Sequence, residues 1–313
     1  MKKLATTTFV LAITLLGGRH AFADSTACRT VKLSDPGWTD ITSTNSVASV
    51  LLESLGYKAD VKTMSVPIGY EALKNKETDV FLGNWMPAQQ KFRDDLDKSK
   101  SAELIVTNLT GAKFTLAVPS YVAAQGVKSF VDLATNADKF ENRIYGIEPG
   151  APANQNIEKI ISDEKFGLNG WKLVESGEQA MLAQVERAAR TQKWVVFLAW
   201  APHPMNTKFE LTYLSGGDDY FGANFGGAEV NTLARTGWAS ECPNAAKLFS
   251  NLVFDLNIEN ALMGKILDEG EEGRAAAKEW IKANPGQLDI WLKDVKTVEG
   301  APGLEAVRAA LGI

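Results

Sequence analysis

The feature that most constrains this chain is an alternation of short apolar runs with helical periodicity, met twice, each series closing on a tryptophan. In the first series Thr30 to Leu33 reads as a strand, and Val47, Val50, Leu51 and Leu55 share a helical face that stops at Gly56. Val61 to Met64 reads as a second strand, Tyr70 to Lys74 as a short helix and Asp79 to Leu82 as a third strand, followed by Gly83-Asn84-Trp85-Met86-Pro87. The order βαβαβ implies parallel pairing. The second series begins with Phe114-Thr115-Leu116-Ala117-Val118-Pro119. It continues through a helix near Phe130 to Leu133, a strand at Arg143 to Ile147, a helix from about Asn154, a strand at Trp171 to Glu175 and a helix at Glu178 to Arg190. A strand from Trp194 to Ala199 then delivers Trp200.

Between the series, Lys91 to Glu103 reads as a solvated helix and turn. Glu210 to Leu214 reads as a short strand, and with the turn Ser215-Gly216-Gly217-Asp218-Asp219 it is expected to carry the chain back to the first unit. Beyond Cys242 the pattern is helical, at Ala245 to Phe254, Ile258 to Leu267, Arg274 to Ala283 and Leu304 to Leu311. The fold class that follows is α/β, two lobes hinged through two crossing strands. The first lobe is discontinuous, residues 24–113 and 210–313, and the second spans 114–209, with a ligand expected between them.

The first 23 residues carry Lys2 and Lys3, an apolar run from Phe9 to Leu16, and Ala21-Phe22-Ala23, the pattern of a signal peptide with its cleavage site. The mature chain is therefore expected to start near Asp24 and to be exported. No later stretch approaches the ~20 apolar residues of a membrane helix. Removing the segment takes three of the 33 bases and none of the 38 acids, leaving 30 against 38, a net charge of −8. That balance argues against nucleic acid and suits a small cation. Cys28 and Cys242 are the only cysteines, and in an oxidising compartment they are expected to pair, which brings the last third of the chain back to the first lobe.

The candidate site rests on Trp38, Trp85 and Trp200. Trp38 stands in Ser34-Asp35-Pro36-Gly37-Trp38-Thr39-Asp40, just past the first strand. Ligands bind outside the carboxyl ends of strands in open α/β sheets, so three indoles delivered there are expected to face one crevice. Aromatic faces hold a tetra-alkyl ammonium, which has no N–H to donate and cannot lose its charge. Asp40 is expected to accept a hydrogen bond from a ligand hydroxyl, Phe114 to add a fourth wall, and the turn around Ala151 and Asn154 to offer polar groups at a helix start. Each residue has a structural reading as well: the rings as core, Asp40 as a turn or helix-start group, Asn154 as part of a turn. Enzymatic motifs are sparse. His203 is the one histidine left after export and reads as a fixed loop element between two prolines, while Asp218-Asp219 reads as a solvated turn and not a metal site. No cofactor is expected. An exported enzyme acting on a quaternary ammonium compound is the alternative class.

These stretches resemble a known family. Asp35 to Asp40, Phe81 to Pro87, Tyr145-Gly146-Ile147-Glu148-Pro149-Gly150 and Pro202 to Asn206 are similar to the choline-binding proteins of bacterial ABC importers, relatives of the glycine betaine-type substrate-binding proteins. The similarity runs through essentially the whole mature chain. It implies a type II periplasmic binding protein, monomeric, working with an inner-membrane permease, with Trp38, Trp85 and Trp200 as cage walls and Asp40 as hydroxyl acceptor. Two positions depart: choline binders of the family carry tyrosine where this chain has Phe114 and asparagine where it has Ala151. Ala201, in addition, stands where an acid is expected. Choline, carnitine and glycine betaine are thus all within reach of the reading.

Overall fold

A computed structural model describes residues 24–313, so the signal segment expected at residues 1–23 lies outside the described residues. Nine strands form one sheet in the order β2-β1-β3-β9-β4-β7-β5-β6, with β8 on β4. The first series gives β1 (Thr30–Asp35), α1 (Thr39–Ser54), β2 (Lys58–Thr63), α2 (Val66–Lys74) and β3 (Val80–Met86), and β1 pairs in parallel with both β2 and β3, as the alternation predicts. The second gives β5 (Arg143–Tyr145), β6 (Lys172–Val174) and β7 (Phe197–Ala201), again parallel around β5.

Two antiparallel strands join these blocks. The 18-residue strand β4 (Ala102–Pro119) pairs with β9 (Gly227–Arg235) from Ala102 to Lys113, with β7 from Lys113 to Ala117 and with β8 (Leu211–Tyr213) from Ala117 to Pro119. It therefore belongs to both blocks, and the change of partner falls at Lys113 and Phe114. The expected solvated segment at Lys91 to Glu103 is a helix only over Gln90–Ser99; its end already starts β4, twelve residues before the strand expected at Phe114.

The return crossing is also displaced. Leu211–Tyr213 pairs with the far end of β4, Ser215 bridges Ser129, and Phe221 packs on Phe114 and Phe130, so residues 210 to 222 stay with the second block. Lys165 pairs with Asp219 there, and the Tyr220 hydroxyl donates to Asp163. The chain goes back at Gly226 and Gly227, entering β9 between β3 and β4. The first block is completed by helices Pro243–Asn251, Leu256–Leu267, Gly273–Ala283 and Gly303–Leu311, three of which pack on α1. Cys28 and Cys242 form a disulfide with 5.6 Å between Cα atoms, as their pairing in the sequence implied. Beside it Asp24 accepts the Asn244 and Ala245 N–H groups at the start of the Pro243–Asn251 helix, and the Tyr57 hydroxyl. Among the described residues no helix is long and apolar enough to cross a membrane.

The middle of the sheet is polar and cross-bonded, with only the Asn108 Oδ1 of these side chains left without a partner. Asn108 donates to the Leu82 carbonyl and Thr232 Oγ1, both at 2.9 Å, Thr107 donates to Asn231 and Asn231 to Asn84. Asn84 donates to the Tyr70 hydroxyl, which donates to Gln89, and Gln89 closes on the Gly83 carbonyl. Buried amides cost free energy unless paired, so this network holds β3, β4 and β9 in one register.

Where the two crossings meet, Asn224, Phe225 and Gly226 all have positive φ, and a Cβ added to Gly226 would lie 1.8 Å from the Phe114 carbonyl oxygen. Backbone lies directly on backbone there. Gly226→Ala is expected to lower the urea midpoint by the equivalent of more than ~2 kcal/mol, whereas Gly216→Ala, at φ +87 but in open space, costs only the left-handed strain of about 1–2 kcal/mol. Equal midpoints for the two variants would remove the close approach as the cause.

Candidate ligand-binding site

The three tryptophans reach one place from three elements. Trp38 follows β1 and precedes α1, Trp85 is the penultimate residue of β3, and Trp200 sits in β7 opposite Phe114 of β4. A cis proline stands two residues beyond both Trp85 and Trp200. The three indoles and the Phe114 ring are 4 to 8 % exposed and line one cavity, of about 430 Å³ empty volume, whose wall also includes Asp40, Ile147 and Leu198. Trp85 meets Phe114 edge to face at 6.3 Å between centroids. Five of the seven predicted site residues, Trp38, Asp40, Trp85, Phe114 and Trp200, are thus brought together.

Ala151 and Asn154 are not part of that wall; Pro152 and Ala153 are. Ala151 caps the Pro152–Ser162 helix, and Asn154, 1 % exposed, spends its amide on the turn before it. Its Oδ1 accepts the Ile147 N–H, and its Nδ2 donates to the carbonyls of Ile147 and Glu148 and to the Glu175 carboxylate. The amide is a staple for residues 146 to 148, and no hydrogen is left for a ligand.

Each of two indole N–H groups is held by a carboxylate. Trp85 Nε1 donates to Asp40 Oδ2 and Trp38 Nε1 to Glu148 Oε2, both at 2.9 Å, the second contact reaching from the first block to the second. Glu148 was visible in the sequence only as part of a turn. A further acid, Glu178, accepts the Thr39 N–H at 2.8 Å and its hydroxyl at 2.6 Å, and lies 3.0 Å from His203 Nε2. His203 Nδ1 accepts the Met205 N–H, so the ring proton sits on Nε2 and is donated to Glu178. The histidine is a fixed loop element, as the flanking prolines suggested, and the loop is tied further by Asn206, whose amide donates to the Trp200 and His203 carbonyls.

Asp40 is the electrostatic centre. It is 1 % exposed, and its Oδ1 is buried without a hydrogen-bond partner. Burial, then the charge of Glu178, pushes its carboxyl from 3.8 up to about 7, against the Trp85 bond that favours the ionised form. Burial also raises Asp35 and Glu148, and raises Glu259, which faces Asp40 from the Leu256–Leu267 helix, well above its usual range. Asp40 lines the cavity, and Glu148 and Glu178 bond to Trp38 and Thr39 beside it, a placement that favours positive charge there over negative.

A carboxyl that holds its proton more tightly folded than unfolded contributes stability that is complete below pH ~4 and lost as the pH rises through about 7. Asp40→Asn keeps an acceptor for Trp85 and removes that loss. The thermal midpoint of ligand-free Asp40→Asn is therefore expected to exceed wild type by a margin that grows from pH 5 to pH 8, and a margin independent of pH would mean that Asp40 is already ionised at pH 5.

Comparison with known proteins bears on this geometry. Residues 29–283 match the family described as the substrate-binding domain of ABC-type glycine betaine transport systems, OpuAC. An ABC-transporter choline-binding protein solved in complex with choline is 51 % identical, with a TM-score of 0.89 over 91 % of this chain and 99 % of its own. The same type of protein in an unliganded semi-closed conformation gives 0.85 over 92 % and 100 %. Lactococcal OpuAC, closed on glycine betaine, is 29 % identical with a TM-score of 0.76, covering 84 % of this chain and 99 % of its own. Among curated proteins, the glycine betaine/carnitine transport binding protein GbuC of Listeria monocytogenes is 29 % identical over 157 residues, 50 % of this chain and 51 % of that one. The fold is that of the type II periplasmic binding proteins, and the relatives are transporter components and not enzymes. The chain belongs to the OpuAC family, the substrate-binding domains of ABC-type glycine betaine transport systems.

Proposed function

We propose that this substrate-binding protein captures choline in the periplasm, between two lobes that close on it, and presents it to an ABC permease. The lobes are residues 24–113 with 227–313, and 114–226, moving about the two places where the chain crosses between blocks. This reading sets the boundary at 226 and not at the expected 210, a choice supported by the packing of β8 and Phe221 with the second block. Trp38, Trp85, Trp200 and Phe114 form the cage around the trimethylammonium group, and Asp40 accepts the hydroxyl. The protein acts as a monomer.

The observation that carries this reading is an apolar, aromatic-walled cavity whose wall includes Asp40, a buried carboxyl with one oxygen, Oδ1, left unpaired. The Trp38 and Trp85 N–H groups are already spent on Glu148 and Asp40, and Gln89 donates to Gly83. A hydroxyl meets a waiting acceptor; a carboxylate, as in glycine betaine, meets repulsion. Desolvated cation–π contacts are worth ~2 kcal/mol each, so three give about 6 kcal/mol gross, short of the ~8 kcal/mol of micromolar binding before any cost of association. The attraction between the cation and Asp40 supplies the difference. Further support comes from the choline-bound relative, 51 % identical to this chain over 91 % of its length.

Tryptophan-fluorescence titration against choline, carnitine and glycine betaine is the test. Choline is expected to bind at least tenfold tighter than glycine betaine, and Trp85→Ala or Trp200→Ala to weaken it at least about tenfold, ~1.4 kcal/mol. Unchanged affinity in either variant removes that indole from the cage, and preference for glycine betaine overturns the assignment of Asp40.

Binding a cation drives Asp40 to ionise, so choline affinity should rise with pH up to about 7 and level off above it. Isothermal titration at pH 5.5 and 8 reads this directly. In Asp40→Asn affinity is lower and this dependence is lost.

A further inference from the structure

Helix α1 has no cap of its own. Its N-cap residue is Trp38, with no side-chain hydrogen bond to the first turn, so the Thr39 N–H is an orphan that the local sequence cannot satisfy. The missing acceptor arrives from the second block, where Glu178 Oε2 takes the Thr39 N–H and Oε1 takes the Thr39 hydroxyl. Glu178 is itself the first residue of the helix Glu178–Arg190, whose N-cap is a glycine. The N-terminus of α1 thus donates to a carboxylate carried on the first turn of another helix. His203 supplies the third donor, and the side chains of His203 and Glu178 are 1 % and 2 % exposed.

We propose that Glu178, oriented by His203, is a positioning residue that latches the closed form by capping α1 across the cleft. The inference rests on the lobed reading above. Glu178 does not line the cavity and acts through Thr39, the residue between Trp38 and Asp40. Capping Thr39 therefore fixes a cage wall and the ligand acceptor together against the other lobe. The Trp38 indole bonded to Glu148 is a second grip on the same three residues. When the lobes part, Glu178 keeps His203, and Thr39 turns to water. The contact is made only in the closed form, so it lengthens the residence of the ligand without touching it.

The test combines stopped-flow binding with amide exchange at Thr39, in the full mature protein, without ligand and with saturating choline. Glu178→Gln is expected to raise the choline dissociation rate at least tenfold while the association rate stays within about threefold. Thr39→Val, which loses only the hydroxyl, should raise the dissociation rate about threefold, and Thr39→Ser, which restores it, should stay within about twofold of wild type. Exchange of the Thr39 amide should be at least fivefold faster in Glu178→Gln in whichever of the two conditions protects it better in wild type. Equal exchange in both conditions overturns the latch, as does wild-type dissociation from Glu178→Gln. Failure of wild type to bind choline would instead sink the assigned ligand; the exchange comparison is then made with glycine betaine or carnitine, whichever binds, and equal exchange with and without that bound ligand overturns the latch.

Discussion

A buried carboxylate oxygen with nothing to accept from is expensive, and the architecture is built to keep Asp40 in that state. Its other oxygen is taken by Trp85, its surroundings are aromatic, and the neighbouring acids raise the potential cost of its charge. A ligand bringing both a positive charge and a hydroxyl relieves every part of that cost at once. On the choline reading proposed above, selectivity follows from the same source, because an anionic end inherits the repulsion that a hydroxyl escapes.

The remaining structure serves to bring opposite walls to that carboxylate. Trp38, Asp40 and Trp85 hang from the parallel strands β1 and β3, while Trp200 and Phe114 face them from the β7 and β4 pair. Strand β4 runs through both blocks, and the polar network of Asn84, Asn108 and Asn231 locks its first half to β3 and β9. On the two-lobe reading proposed above, rigidity up to Lys113 and a change of partners just after it confine bending to a few residues. On the same reading the contacts between the blocks, Trp38 to Glu148 and Thr39 to Glu178, decide how tightly the walls meet.

Much of this was legible in the chain. Parallel strands stood out as apolar runs bounded by turns, and the tryptophans that follow them marked the cavity. The C-terminal helices showed their 3.6-residue period to within two or three residues at each end. What escaped notice was polar. The start of β4 and all of β9 carry Thr107, Asn108, Asn231 and Thr232 where a buried strand normally shows valine or isoleucine, and their partners lie 124 residues away. Asn154 misled for the related reason that a helix-start amide reads the same whether it serves a ligand or its own backbone. Glu148 and Glu178 gave no local sign either: an acid in a turn or a helix's first turn is ordinarily solvated, and only the opposing block turns these two into partners.

The insertion of β9 between β3 and β4 has a consequence for how the molecule can be made. Until the segment from Gly227 to Arg235 arrives, the two strands that will flank it present bare edges to solvent, with the amides of Asn84 and Asn108 short of their final partners. A nascent or truncated chain stopping before that point is a sticky half-sheet. Completion is thus a threading of late sequence into early sequence, and the gap must stay shielded while more than two hundred residues wait for it.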